Sequence, residues 1–240
     1  TPVGREFLPV VERVLGEIDA VAVNARELAG RQRGLVAVAA LPSIASTVLP
    51  VTVAEFRNRH PGITVKLRDA VAQRVVDLVK SGEVDFGIGS PTTRDPELKV
   101  SHLMDDPVSV VLPPGHPLER RARVGLRDLL HTPLILMDRE YSVRWLIERA
   151  FQSIGHSVAP AFEASYVSTA VGLVKAGLGV AVVARSAGGS AAELAGLRTR
   201  PIQHPTLVRH ISLLENPNRS LSPAAQQFVD AVWETCRRTA

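Results

Sequence analysis

The sequence lacks the features that hold small secreted domains together or anchor a chain in a membrane. Cys236 is the only cysteine, so no intramolecular disulfide can form, and the composition fits a reducing compartment. No apolar run approaches the roughly 20 residues that a membrane-spanning helix requires. We therefore expect a soluble cytoplasmic chain that has no membrane partner.

Aromatic residues are scarce as well, at 4% of the chain, although hydrophobic residues together reach 45%. That fraction over 240 residues is enough for one ordinary core or for two small ones. Val, Ala and Leu supply most of it, which suits β-branched strands covered by Ala- and Leu-rich helices. The composition predicts a globular α/β protein.

Long runs of charge of one sign are also missing. The chain has 28 basic and 24 acidic side chains, a net charge of +4. Its basic residues are dispersed, with short clusters only at residues 119–123 and 237–238. A DNA-binding surface is expected to show a basic face with interleaved aromatic residues, and neither cluster does. Both clusters are interpreted as solvated surface.

The first thirty residues differ in pattern from the rest, because their apolar residues recur alternately every four and every three positions. This is the spacing of a helical seam with a period of 3.5 residues. The seam consists of Phe7, Val11, Val14, Ile18, Val21, Ala25 and Leu28. It favours pairing with a second copy, as a homodimer or homotetramer; the alternative is a helix packed on its own domain. Pro9 predicts a kink or a later helix start.

From residue 34 onward, apolar strand patterns alternate with helical ones. The first series is predicted as strands 35–40, 63–68 and 84–89 with helices 42–56 and 73–80 between them, a βαβαβ unit. The second series has strands 108–112, 133–137, 158–163 and 180–183 with helices 143–154 and 167–175. Strand 208–214 and helix 224–237 end the chain. Two similar α/β halves are expected.

The final strand and helix must pack on one of the two predicted sheets, and the first half lacks one helix that is needed to cover its sheet. We therefore expect the chain to cross to a second lobe near Leu112 and to return near Val208. The predicted domains are a linker and dimerisation helix at 1–33, a first lobe at 34–112 plus 208–240, and a second lobe at 113–207. The fold class is α/β, with two lobes joined by a two-strand hinge.

Patterns typical of catalysis and cofactor binding are not found. Gly87 and Gly89 lack the third glycine of a dinucleotide fingerprint. The seven histidines show no H-x-x-x-H spacing and no cysteine partner, so no metal site is predicted. No serine lies in a G-x-S-x-G motif. The sequence predicts a protein that is not an enzyme, with no catalytic residue and no cofactor.

Several segments resemble the LysR-type transcriptional regulators, in the same order and spacing. These are GLVAVAALPSIASTVLP near the start of the first lobe, VVDLVKSGEVDFGIGS with its G-x-x-D-x-x-I strand, a P-x-x-H-P-L turn at 113–118, VGLVKAGLGVAVVARSA, and LSPAAQQFVDAVWE. The resemblance implies a periplasmic-binding-protein-like fold, a small-molecule effector bound between two lobes, and assembly through linker helices. It also implies that promoter DNA is bound by a helix-turn-helix head upstream.

In an open α/β sheet the ligand lies beyond the carboxyl ends of the strands, where helix N-termini present unpaired N–H groups. By resemblance, the effector-contacting positions are Ser43, Ile44, Ala45, Ala72, Ser90, Met137, Ser165 and Tyr166. The family often has Ser or Thr at the position of Ala72, so this chain lacks one side-chain hydrogen bond that such a residue would offer. Because helix N-termini favour anions, a small carboxylate is the expected effector.

The expected mechanism is a population shift, in which the effector favours one hinge angle and re-spaces the DNA-binding heads. The main alternative is a transport-type solute-binding protein, which would share the two-lobed architecture but would be monomeric and exported. It would also lack the apolar seam. A second alternative, an enzyme on the same scaffold, would need a cluster of titratable residues in the cleft, and the sequence offers none.

Overall fold

Strands and helices alternate along the chain. The strands are β1 (Gly34–Ala40), β2 (Ile63–Asp69), β3 (Phe86–Gly89), β4 (Lys99–Leu112), β5 (Leu134–Met137), β6 (Phe162–Ala164), β7 (Val180–Ala184), β8 (Arg198–Pro201) and β9 (Val208–Glu215). The helices are α1 (Pro42–Arg59), α2 (Ala72–Ser81), α3 (Ser142–Ser153), α4 (Val167–Lys175), α5 (Arg185–Leu194) and α6 (Pro223–Thr239). Short 3₁₀ helices cover Pro117–Arg120 and Leu126–Leu129.

The structure is a computed structural model that describes residues 34–91 and 95–239, together with residues 1, 8, 10, 11, 14 and 16. The chain divides into two compact units. Unit 1 comprises Thr1–Met104 and Ser212–Ala240, and unit 2 comprises Asp105–Ile211. The chain passes from one unit to the other within β4 and within β9. Among the helices of the described residues, none is both long and apolar enough to cross a membrane.

Unit 1 is built on a sheet with the strand order β2-β1-β3-β9. β1 lies parallel to β2 and to β3, whereas β9 runs antiparallel to β3. Helices cover the sheet, and Phe56 of α1 meets Phe228 of α6 with ring centroids 5.0 Å apart. Gly87 keeps β3 close to α2, because a Cβ at this position would lie 2.7 Å from Val79 Cγ2. Apolar β-branched strands under apolar helix faces thus produce the α/β layers that the composition predicted.

Asp85 fixes the start of β3 against β1. Its carboxylate Oδ2 accepts a hydrogen bond from the Ala37 backbone N–H at 2.7 Å, and its own N–H donates to the Ala37 carbonyl oxygen at 2.8 Å. Burial raises the pKa of Asp85, although the Ala37 hydrogen bond and the nearby positive charge of Arg219 act in the opposite direction. The aspartate of the G-x-x-D-x-x-I motif therefore sets the pairing of two strands.

Unit 2 has the strand order β4-β7-β5-β6, with β8 paired to β4. β5 is parallel to β6 and to β7, and β4 is antiparallel to β7. Both faces of the sheet are buried. One core contains Leu136, Ile147 and Phe151, and the other contains Val174 and Ala181. A sheet buried on both faces explains why β7 reads as a continuous apolar run.

Four elements differ from the sequence prediction, and one of them is β6, which covers Phe162–Ala164 and not 158–163. α5 and β8 were not predicted, because the α5 sequence RSAGGSAAEL is rich in small residues and glycine and has no clear helical pattern. β4 was recognised only from residue 108 onward, since its first half carries His102, Asp105 and Asp106 in place of apolar residues. That is why the predicted crossing was put at Leu112, whereas the units divide after Met104.

The leading segment is described only in part. Leu8, Val10, Val11, Val14 and Gly16 are helical. Two of them, Val11 and Val14, belong to the predicted seam, and both are nearly half exposed in the single chain, at 48% and 45%. The remaining seam positions lie outside the described residues; they are Phe7, Ile18, Val21, Ala25 and Leu28. Pairing through this helix stays a prediction.

Candidate functional site

The carboxyl ends of β1, β2 and β3 lie at one edge of the unit 1 sheet, because the three strands are parallel. Ala40, the last residue of β1, is in register with Asp69 of β2 and with Ile88 of β3. Backbone hydrogen bonds extend the pairing beyond the strands, from Leu41 N–H to the Ile88 carbonyl oxygen and from Ala70 N–H to the Ala40 carbonyl oxygen, both 3.0 Å. The segments that follow the three strands are therefore neighbours.

The first of these segments is the start of α1. Ile44 is fully buried, Ser43 is buried to 6% exposure, and Ala45 is partly exposed. The backbone N–H groups of Ile44 and Ala45 both donate to the Leu41 carbonyl oxygen at 2.9 Å. No side chain caps the helix, and Pro42 occupies its first position. Ala45 is thus the accessible member of this predicted group, while Ser43 is nearly buried and Ile44 packs in the core.

The other two segments bring Ala72 and Ser90 to the same edge. Ala72 is the first residue of α2, which also begins without a side-chain cap, so its contribution to a ligand would be a backbone N–H. Ser90 directly follows β3 and is 8% exposed. Its hydroxyl makes no hydrogen bond with any residue of the described ranges. The hydroxyl is not among the fully buried polar atoms that lack a partner, so it stays accessible to solvent and is free to donate to a ligand.

Unit 2 has a corresponding edge at the carboxyl ends of β5, β6 and β7. Met137 ends β5 in register with Ala164 of β6, and it is almost completely buried. Ser165 follows β6 and is exposed, and its carbonyl oxygen accepts a hydrogen bond from the Tyr141 hydroxyl at 2.7 Å. Tyr166, 69% exposed, precedes α4, which has no side-chain cap. Two predicted residues are therefore accessible here, whereas the Met137 side chain is not.

Arg144 fixes the backbone at this second edge through hydrogen bonds. Nothing in the sequence had indicated this role. Arg144 is 4% exposed and donates from Nη1 to the Met137 carbonyl oxygen and to Glu163 Oε2, both at 3.0 Å. Its Nε donates to Glu148 Oε1 at 2.6 Å. Burial lowers the pKa of Arg144, but the hydrogen bonds with the two carboxylates outweigh that effect and raise it. The guanidinium therefore stays charged and fixes the end of β5.

A buried carboxylate occupies the N-terminus of α5. Asp106 is 2% exposed and accepts hydrogen bonds from the Ser186 N–H at 3.0 Å and from the Ser186 hydroxyl at 2.6 Å. Arg209, 4% exposed, donates to the same carboxylate from Nη2 at 2.5 Å. The helix dipole and the guanidinium are thus neutralised internally. No sequence signal could have shown this, since residues 106, 186 and 209 are far apart in the chain.

The two edges consequently differ in what they offer a ligand. At the unit 1 edge, α1 and α2 begin without a side-chain cap, although the N–H groups of Ile44 and Ala45 already donate to the Leu41 carbonyl oxygen. The hydroxyl of Ser90 lacks an acceptor among the described residues. At the unit 2 edge, α5 is already occupied by Asp106, whereas α3 and α4 are uncapped. Hydrogen-bond donors without acceptors favour an anion. The unit 1 edge is therefore the stronger candidate for an anionic ligand.

Comparison with known proteins shows what the chain is similar to. The family model described as "LysR substrate binding domain" matches residues 29–237. The transcriptional dual regulator GltC of Bacillus subtilis (strain 168) is 25% identical over 233 residues, which cover 97% of this chain and 77% of that protein. A probable nitrogen assimilation transcriptional activator of Synechococcus elongatus is 27% identical over 232 residues, covering 95% and 75%.

Solved structures give the same fold. The effector-binding domain of QuiR in complex with shikimate has a TM-score of 0.76 at 21% identity, over 86% of this chain and 98% of that one. The effector-binding domain of BenM with its effector benzoate has a TM-score of 0.73 at 23% identity, over 86% and 91%. The predicted fold class, α/β and two-lobed in the manner of periplasmic binding proteins, is confirmed.

Proposed function

The chain belongs to the LysR family, as the effector-binding domain of a transcriptional regulator, and on that basis we propose that it senses a small carboxylate held at the unit 1 edge. A carboxylate has two acceptor oxygens and no donor, so it complements a surface made only of donors. The uncapped first turn of α2 and the hydroxyl of Ser90 supply donors of this kind.

The observation that carries this proposal is the position of Ser90 directly after β3, at the edge where the carboxyl ends of three strands meet. Its hydroxyl forms no hydrogen bond with a described residue and stays accessible to solvent, so an acceptor of a ligand can replace water there. Charge-assisted hydrogen bonds are also the stronger class, so an anionic acceptor gains more than a neutral one. The structural neighbours QuiR and BenM bind shikimate and benzoate, and both of those ligands are carboxylates.

Thermal-shift and calorimetric titration of the chain would test the chemical class of the effector. We expect metabolite carboxylates, with benzoate and shikimate as first probes, to raise the melting temperature, because a ligand that binds only the native state stabilises it. Benzamide, which has the same shape as benzoate without its charge, serves as the matched control ligand. Stabilisation by cationic or large apolar compounds, with no response to any carboxylate, would contradict the proposal.

The Ser90→Ala variant tests the site itself. Removal of a hydrogen bond to a charged group costs about 1.5 kcal/mol or more, so we expect carboxylate affinity to fall by about 10-fold. Ser81→Ala removes a serine from the opposite end of α2 and should leave affinity unchanged. Equal affinities of the Ser90 and Ser81 variants would place the ligand elsewhere. Ser165→Ala tests in the same way whether unit 2 contributes to ligand binding, which stays a prediction.

The remaining parts of the proposal concern the whole regulator. We propose that the chain acts in the cytoplasm as a homodimer or homotetramer paired through the helix at 1–33, and that it catalyses no reaction. An N-terminal head would bind promoter DNA, and effector binding would change the spacing of the heads. The regulators among its relatives support this role. Sedimentation of the chain at micromolar concentration tests the assembly, and a stable monomer would contradict it.

A further inference from the structure

Folding gathers arginines from two distant segments of unit 2 into one surface, here called the arginine patch. Its members are Arg120, Arg121, Arg123, Arg127, Arg198 and Arg200. Arg200 of β8 joins the two segments, because its Nη2 donates to the Glu119 carbonyl oxygen and its Nε to the Arg121 carbonyl oxygen, both at 2.7 Å. The sequence shows only the cluster at 119–123, so the size of the patch is a product of the fold.

The geometry of the two segments keeps the arginines together. Val124 pairs with Ile202, and the Val124 N–H donates to the Pro201 carbonyl oxygen at 3.0 Å, which holds the segment that contains Arg123 beside β8. Arg198 and Arg200 are two residues apart on a strand, so their side chains project from the same face. Backbone pairing therefore fixes the positions from which these arginine side chains extend.

The patch carries as much net positive charge as the entire chain. Its six arginines are accompanied by two carboxylates, Glu119 and Asp128, which leaves +4, and the whole chain is also +4. Outside the patch, basic and acidic side chains are therefore equal in number. Arg121 pairs with Asp128 at 2.8 Å, while Arg200 donates to carbonyl oxygens. Arg120, Arg123, Arg127 and Arg198 form no ion pair with a described residue.

Composition identifies the kind of partner that such a surface fits. No large exposed hydrophobic residue of the described chain falls within 119–131 or 196–204. A protein partner would be expected to bury an apolar or aromatic centre, and single-stranded nucleic acid would be expected to stack on aromatic side chains. A surface of arginines alone instead suits phosphate groups, which guanidinium binds with two parallel hydrogen bonds.

We propose that the arginine patch binds the phosphate backbone of double-stranded DNA without sequence preference. In a DNA-binding regulator this gives the effector domain a direct contact with DNA of its own. The affinity would be modest and dominated by counterion release, with a slope of log affinity against log salt of roughly −0.9 for each phosphate neutralised. With the four unpaired arginines engaged, binding should weaken about 100-fold between about 50 and 200 mM salt.

The test uses the complete chain and two duplexes of unrelated sequence, titrated by fluorescence anisotropy across that salt range. We expect equal affinity for both duplexes. The variant R120E/R123E/R127E/R198E should lose at least about 10-fold in affinity at low salt and should show a flatter salt dependence. The control R57E/K66E/R139E/K175E reverses four exposed charges elsewhere and changes the net charge by the same amount. It should retain most of the affinity.

Three outcomes would overturn the proposal. The patch variant and the control could lose affinity equally, which would show a response to net charge alone. The patch variant could bind as well as the unaltered chain. An acidic polypeptide such as polyglutamate could bind the patch more tightly than DNA, which would identify an acidic protein as the partner. Melting curves verify that both variants fold, and carboxylate binding, measured separately, shows whether the effector site is intact in each.

Discussion

Removal of the Asp106 carboxylate should destabilise unit 2 by about 3–5 kcal/mol, the usual cost of leaving a buried charge without its partner. Asp106→Ala would remove the carboxylate that pairs with the Arg209 guanidinium, which is 4% exposed, and would take the acceptor from both the N–H and the hydroxyl of Ser186. The site is too closed for water to replace the carboxylate easily. Ser186→Ala removes the hydrogen bond that the hydroxyl donates to Asp106 and the one that it accepts from Arg209 Nη2, and it should cost about 1–3 kcal/mol.

The two tryptophans of the chain allow each unit to be measured by itself, because Trp145 lies in unit 2 and Trp233 in unit 1. In a Trp233→Phe background, urea unfolding followed by fluorescence reports on unit 2. The Trp145→Phe background reports on unit 1 and serves as the control. Asp106→Ala should lower the free energy of unfolding that Trp145 reports by about 3–5 kcal/mol.

A double-mutant cycle then tests the reasoning. Since Asp106→Ala and Arg209→Ala each leave one charge unpaired, the double variant should lose much less stability than the sum of the two single losses. A loss below about 1 kcal/mol for Asp106→Ala would refute the argument that the pair is buried and interdependent. Strict additivity of the two single losses would refute it as well.

Two further predictions concern buried titratable groups in unit 1. Because burial raises the pKa of Asp85, its contribution to stability is fully present below its ordinary pKa and is lost as the pH rises through the folded-state pKa. Asp85→Asn, which keeps an acceptor for the Ala37 N–H, should therefore gain stability relative to the unaltered chain between pH 4 and pH 7 in urea titrations, and a constant difference would contradict this. Burial also raises the pKa of Cys236 to about 11, so the thiol should not react with Ellman's reagent at pH 8 until urea unfolds the chain; rapid labelling of the native protein would contradict this.

The predictable parts of the fold were those whose signal is local. β1, β3 and β7 appear in the sequence as apolar runs because both faces of their sheets are buried. α2 has a helical pattern of apolar residues, and a glycine follows its last residue. The parallel order of β1, β2 and β3 then follows from the right-handed crossover rule, which brings Ser43, Ala72 and Ser90 to one edge without any knowledge of coordinates. For these residues, sequence patterns and general topology were sufficient.

The features that escaped prediction depend on contacts between distant residues. Arg144 appears in the sequence as one of several charged residues on a helix, and only the structure shows that it is buried beneath Met137. The cluster at 119–123 was interpreted as solvated surface because the sequence does not show that β8, with Arg198 and Arg200, lies beside it. α5 was missed because small residues give no periodic signal, although Gly188 is the residue that lets the helix approach Val183.

The arginine patch and the carboxyl edge of unit 2 lie at opposite ends of the same sheet. Asp106 and Ser186 adjoin the carboxyl end of β7, where Ala184 is in register with Val108. Arg198 is in register with Leu112, which lies at the amino end of β7. The five residues of β7 span about 16 Å, and exposed charges are largely screened beyond about 8 Å at physiological salt. An effector charge at that edge could not weaken DNA binding at the patch directly. Any influence of an effector charge at that edge on DNA binding would therefore be transmitted by a change in conformation.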